Sequence, residues 1–309
     1  MNPPLFLTLM RREWMQHRNG WLLLVALPMA LMLVLAAFGG GAVQMKFGGA
    51  DLDLQGLQGA PAVLHTLMWS SAMPALVGTL VLLAVAIQLP GLARRDVQDR
   101  SIEFWRSLPV DDRLALAAML LMHLLVLPMV ALLAALVAAQ LAALLTVSLT
   151  AGPLAWLMQP WWQLLPALLA VAARVLLGLL LTVLWASPLL LGVMAASAWL
   201  KRWGLPVVGL GLLLGVQLLD PRLPRPLFGP ALTRLAQEVQ HAFIARPMLE
   251  QAPIRNPDDL VALALPEMPV WALHDAGQAL ARLATPALLP VLLGAAAGFA
   301  LLVWRRRRA

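Results

Sequence analysis

The feature that most restricts this chain is a series of apolar runs, each close to the ~20 residues a helix needs to cross a bilayer. Six are read: Trp21 to Phe38, Met73 to Ala93, Leu114 to about Leu145, Val175 to Leu200, Gly204 to Leu219, and Thr285 to Trp304. Unpaired backbone N–H and C=O groups are costly in hydrocarbon, so runs of this length resolve as helices. The expected fold class is therefore an all-α integral membrane protein with six transmembrane helices. Charge supports this: only 12% of the residues are charged and 61% are hydrophobic, whereas soluble domains carry about 25% charged residues. The whole chain, 1–309, reads as one transmembrane domain.

The balance of charge is basic, with a formal net charge of +7. Nucleic-acid-binding proteins gather such charge on a soluble domain. Here the arginines flank apolar runs, which fits topology and a bilayer partner, and no nucleic-acid partner is expected. Arg and Lys mark the cytoplasmic side of short loops. With the N-terminus inside, the inner segments hold Arg11, Arg12 and Arg18, then Arg94 to Arg113, then Lys201 and Arg202, then Arg305 to Arg308. The remaining basic residues are spread over two longer outer loops, with Arg174 left over. Both termini are thus expected in the cytoplasm.

Arg174 interrupts an apolar stretch from Trp161 to Leu200. A charge at the bilayer centre costs about 2.5–3.5 kcal/mol on insertion scales. Starting the fourth span at Val175 avoids that cost. Arg174 then becomes a snorkelling interfacial residue in preference to a charge on a substrate path, and Trp161 and Trp162 lie in an interfacial segment outside.

The first 20 residues hold an expected interfacial helix, Leu5 to Arg18, with Phe6, Met10 and Trp14 along one stripe. Basic residues before an apolar run also describe a signal peptide, but the run is long and several more follow, so no cleavage is expected. Residues 220–284 form an extracytoplasmic segment. Pro221, Pro224, Pro226 and Pro230 break the chain after the fifth span. A helix is expected from Ala231 to Ala245, with Leu232, Leu235, Val239 and Phe243 on its apolar face. Another starts at Asn256, where Pro257, Asp258 and Asp259 suit a helix N-terminus. Val270, Leu273, Leu280 and Leu283 make a further apolar stripe.

Between the second and third runs lies a charged island, residues 94–113. On a helix ended by Pro109, Ser101, Phe104, Trp105 and Leu108 share one side, while Asp96, Asp99, Arg100, Glu103 and Arg106 share the other. An ordinary polar loop on the headgroups would have such charges. A docking helix that transmits force between a partner and the spans would have them with the aromatic face as well.

At this point the chain resembles the ABC transporter permeases of the type-2 exporter class. Members have an N-terminal interfacial helix, six spans with both ends inside, and a cytoplasmic coupling helix between spans two and three. That helix carries an acidic-basic pair, a Glu and a Ser-Leu-Pro-Val ending, matched here by Asp99, Arg100, Glu103, Ser107, Leu108, Pro109 and Val110. A small-residue fourth span ending in a basic pair is matched by Ala195 to Ala198, then Lys201 and Arg202. The usual Gly-Thr before the Glu is Ser101-Ile102 here, and the outer region before span six is longer than in the class.

The resemblance implies a place in the cytoplasmic (inner) membrane, two permease halves per complex (a second copy or a homologous permease), and two copies of an ABC ATPase subunit. The chain has no Gly-x-x-x-x-Gly-Lys-Ser/Thr loop, so ATP and Mg belong to that partner and this chain is not expected to be an enzyme or to hold a cofactor. The expected docking residues are Asp99, Arg100, Glu103, Phe104, Trp105, Arg106, Ser107, Leu108 and Pro109. The aromatics are the anchors, and the charges set orientation. A membrane scaffold or maturation component of the same fold without a transported substrate is the alternative. An ion-driven secondary transporter ranks last, because it calls for ionisable groups at mid-membrane.

Other signals are weaker. Gly211 to Gly215 and Gly294 to Gly298 are small-residue spacings that permit close helix contact within the chain or in a dimer seam. His123 falls inside the third run, as a packing histidine or a proton relay. His65, Met68 and Met73 offer soft copper-type ligands only in a remote reading. No nucleophile motif, acid–base pair or metal-ligand spacing is found, and the chain has no cysteine.

Overall fold

The structure is a computed structural model and describes residues 3–38, 44–47, 50–53, 62–92, 111–245 and 265–308. Among them the regular structure is helical apart from one short antiparallel strand pair. Helix α1 is Pro3–Phe38, and strands β1 (Gln44–Phe47) and β2 (Ala50–Asp53) follow, paired in the register Gln44 to Asp53. Next come α2 (Ala62–Leu92), α3 (Asp112–Leu121), a π-helical turn (Met122–Val126), α4 (Leu127–Ala151), α5 (Pro153–Leu157) and α6 (Trp161–Leu200). Helices α7 (Gly204–Leu214), α8 (Phe228–Phe243), α9 (Leu265–Ala281) and α10 (Leu288–Arg308) complete the chain.

Four helical stretches among the described residues are long and apolar enough to cross a membrane: Ala62–Leu92, Asp112–Ala151, Trp161–Arg222 and Leu288–Arg308. The architecture is compatible with a multi-pass membrane protein. The run Trp21 to Phe38 forms the second half of α1.

Packing follows the logic of helices in lipid, where apolar burial between helices gains little and close approach gains more. In α4, Ala131, Ala135, Ala138 and Ala142 repeat at helical spacing and are buried against Met73, Val77 and Val81 of α2. The small side chains let the two backbones close up. On α4's opposite face Leu133, Val137 and Leu141 are exposed. A helix apolar on both faces is a buried or membrane-spanning one. Gly294 and Gly298 of α10 do the same against α6. A Cβ at Gly298 would come within 2.8 Å of Leu191 Cβ, and one at Gly294 within 3.0 Å of Pro188 Cβ. Their spacing therefore serves contact within the chain. Gly215 sits similarly against Phe228, while Gly211 faces open space.

Several expectations need correction. The elbow expected over residues 1–20 is not a separate helix. Pro3–Phe38 is one continuous helix of 36 residues. Asn19 and Gly20 are weak helix formers, but nothing there removes a backbone hydrogen bond, and one glycine costs only about 1 kcal/mol. The helix that carries the fourth apolar run does not begin at Val175. Helix α6 runs unbroken for 40 residues from Trp161, about 60 Å at 1.5 Å per residue. Arg174 does not break it, because its charge is met by a partner described below.

Helix α6 ends at Lys201, whose φ of 54° is a positive-φ conformation uncommon for a residue with a side chain, and the chain reverses there. Helix α7 then returns along α6. Gly204 lies so close to Ser197 that a Cβ on it would overlap the serine backbone and Oγ. The fifth run thus exists as α7 plus a π-helical turn, Gly215–Leu219.

In the 220–284 segment, α8 matches its expected helix, and Leu232, Leu235, Val239 and Phe243 are its half-buried face. The helix start expected at Asn256 lies outside the described residues. On α9 the apolar stripe is not the face turned to α6: Val270, Leu273 and Leu280 are exposed, Ala272, Asp275 and Ala279 are buried, and Leu283, just past the helix, packs beside Leu181 and Trp185. Small residues and one carboxylate face α6 because the contact there is close and polar.

Candidate functional site

The helices converge on two poles. At the first, Leu89 and Leu92 at the end of α2, Leu116 and Met119 of α3, Leu191, Met194 and Ala195 of α6, and Leu302 and Val303 of α10 make one packed cluster. The basic end of α10 is tied into it. Arg306 Nε donates to Asp112 Oδ1 at 2.9 Å, and Arg305 Nε donates to the Ala198 carbonyl at 3.4 Å. Trp304 stacks obliquely on Trp199 with centroids 5.7 Å apart, and the Arg308 guanidinium lies 4.0 Å above the Trp304 ring. Asp111 caps α3, its carboxylate accepting from the Arg113 N–H at 3.1 Å. Acids at that helix start are where the positive end of the dipole favours them.

The nine expected docking residues, Asp99, Arg100, Glu103, Phe104, Trp105, Arg106, Ser107, Leu108 and Pro109, lie outside the described residues. Their flanks do not. Leu92 on one side and Leu116 on the other belong to the same cluster. The two described flanks therefore lie together at one pole, where Arg306 bonds Asp112.

The same end of the bundle holds a polar group in α1. Glu13 and His17 are one helical turn apart and so share a face. The π-helical turn adds His123 to them. Glu13 Oε2 is 3.4 Å from His123 Nε2, and the His17 and His123 rings meet edge to face with centroids 4.5 Å apart. One donor atom from each of the three lies within 4.8 Å of the others. Glu13 is 6% exposed and His123 1% exposed, with His17 half-buried. The other Glu13 oxygen, Oε1, is 3.9 Å from the Arg12 guanidinium. The sequence reading found no metal-ligand spacing; Glu13 and His17 stand four apart, and the third member comes from far along the chain. His123 is buried as expected, but against ionisable neighbours.

At the opposite pole, Val63, Leu164, Ala167 and Leu265 form a cluster that joins α2, α6 and α9. Thr66 donates to Gln159 at 2.9 Å, and Trp69 Nε1 donates to Thr146 at 2.9 Å. Met68 and Met73 pack in the main core with Trp69, not as an exposed ligand pair. Between the poles, Arg174 is clamped. Its Nε donates to Asp275 Oδ2 at 2.7 Å, Nη1 to the Ala242 carbonyl at 2.7 Å, and Nη2 to the His241 carbonyl at 3.4 Å. Arg174 is 2% exposed and Asp275 is fully buried. The expected snorkelling arginine is thus a buried ion pair holding α8 and α9 to α6. A second link, Arg282 to Glu238 at 3.0 Å, joins α8 to the end of α9. Asp220 organises the entry to α8 by accepting the N–H groups of Leu227, Phe228 and Gly229 at 2.8, 2.9 and 2.6 Å.

Comparisons with protein-family models, curated proteins and solved structures found no match to this chain.

Proposed function

We propose that this chain is the membrane permease subunit of an ATP-driven exporter, working with a separate ATPase subunit. In this reading six spans cross the cytoplasmic membrane. They are the second half of α1, α2, α3 with α4, the second half of α6, α7 with its π turn, and α10. Both termini and the island face the cytoplasm. The observation that carries the reading is the placement of the island's flanks. The most charged segment of an apolar chain begins and ends at one packed pole, next to a basic helix end. A lever mounted there moves α2 and α3 together, and through their shared cluster it reaches α6 and α10.

The chemistry divides accordingly. The chain has no phosphate-cradling glycine-rich loop ahead of a Lys-Ser/Thr pair, so nucleotide and Mg sit in the partner. Phe104, Trp105 and Leu108 supply apolar anchorage, since buried aromatics dominate interface energies. Arg100, Glu103 and Arg106 select the orientation. ATP-driven closure of two partner subunits pulls two such levers, one from each permease half.

The test is co-purification of the permease with its ATPase partner, with ATPase activity measured in the same detergent. Glu103→Lys and Trp105→Ala are expected to lose the partner or its coupling while the chain still inserts. Normal coupling in both variants would end the docking assignment. If vectorial movement of material across vesicles persists when the partner's ATP site is inactivated, an ATP-driven exporter is the wrong class.

A further inference from the structure

We infer that Glu13, His17 and His123 form a binding site for one divalent transition-metal ion of the Zn2+ class, which clips α1 to the third apolar run. Two imidazoles and one carboxylate are a donor set that Zn2+ accepts in three-protein-ligand sites, with a fourth position left for water. The donors are already gathered. They lie within 4.8 Å of one another, and the Glu13 to His123 pair is at 3.4 Å. Metal bonds of about 2.0–2.2 Å in a tetrahedron place neighbouring donors roughly 3.3–3.6 Å apart, close to the spacing already present.

Local backbone chemistry supports the assignment. Glu13 and His17 present their donors from one face of α1 without any loop. His123 comes from the π-helical turn Met122–Val126, in an otherwise α-helical stretch. Such a turn inserts an extra residue, shifts the helix face, and occurs often at functional positions. Among the described residues no hydrogen bond satisfies either ring nitrogen of His123, and both are buried.

Arg12 approaches Glu13 through Oε1, at 3.9 Å. Oε2 is the oxygen turned to His123, and the Arg12 contact is an outer contact of the kind that orients a coordinating carboxylate. The inference does not rest on the ATPase partner and stands or falls separately from it.

The experiment uses full-length, tag-free protein in detergent, stripped with chelator and titrated with Zn2+ or Co2+ alone. One equivalent per chain is expected, with the visible bands of four-coordinate Co2+ and an X-ray absorption spectrum showing two imidazoles. His17→Ala, the least buried change, and Glu13→Gln are expected to weaken binding at least about tenfold and to abolish a metal-dependent rise in Tm. His241→Ala and His274→Ala leave both unchanged. Failure of wild-type protein to bind one equivalent, a spectrum without two imidazoles, or unaltered affinity in folded His17→Ala would overturn the site. The spectrum of wild-type protein decides the matter even if every variant misfolds.

Discussion

Arg174 and Asp275, 101 residues apart in sequence, meet at 2.7 Å with almost no exposed surface. The pair explains how an arginine sits in the middle of a 40-residue apolar helix. Two further bonds, from Nη1 to the Ala242 carbonyl and from Nη2 to the His241 carbonyl, give each guanidinium nitrogen an acceptor. Moving two charges out of water costs several kcal/mol each, and only good geometry repays it. Here the geometry is good, and the pair fixes α8 and α9 on α6.

Removing one member should therefore cost far more than removing both. Arg174→Met or Asp275→Leu is expected to destabilise the protein by about 3–5 kcal/mol, because an unpaired charge stays buried. The double variant is expected to recover most of that loss. Thermal unfolding in detergent across the double-mutant cycle checks this, and simple additivity would refute the clamp.

The reversal at Lys201 is held by a glycine. Gly204→Ala forces a methyl into Ser197 and is expected to cost about 1–3 kcal/mol. Gly209→Ala, on the same helix but facing open space, is expected to be neutral or mildly stabilising. The comparison of the two Tm values isolates close approach from general helix propensity.

Much of this architecture was legible in the sequence, because lipid demands long apolar runs and these were visible as composition. Less legible was which face of each helix packs inward. In water an apolar stripe points to the core, but Val270, Leu273 and Leu280 of α9 point outward while Ala272 and Asp275 are buried. Chains that can meet lipid lose that cue, since apolar residues suit both sides. Long-range polar partners were also hidden. Arg174 looked unpaired because its carboxylate lies in a separate segment. Two of the three members of the Glu13, His17 and His123 group stand one helical turn apart in the sequence, a spacing too common on a helix to mark a site alone; the third member required the π turn and the packing of α1 against the third apolar run.

Asp220 is expected to control the start of α8. It accepts three successive backbone N–H groups, more than a single capping bond. Asp220→Ala is expected to loosen the start of the helix by leaving those N–H groups without their acceptor. Hydrogen exchange should then rise in the first turn of Phe228–Phe243 and leave α4 unchanged. Equal acceleration in both helices would mean that Asp220 stabilises the bundle as a whole.

Sidedness is testable by labelling, because the chain has no native cysteine. Ser107→Cys and Gln240→Cys are expected to react with a membrane-impermeant maleimide from opposite sides, Ser107→Cys only after the membrane is opened. Labelling of both from outside intact cells would reverse the proposed orientation of the island.

The central claim is that the island docks a nucleotide-hydrolysing partner. The most direct measurement places a photo-crosslinking amino acid at Trp105 in cells and identifies the adduct by mass spectrometry. The account predicts a crosslink to a protein with an ATP-binding cassette, lost when Glu103→Lys is added. A crosslink only to lipid, or to a protein on the far side of the membrane, would contradict it.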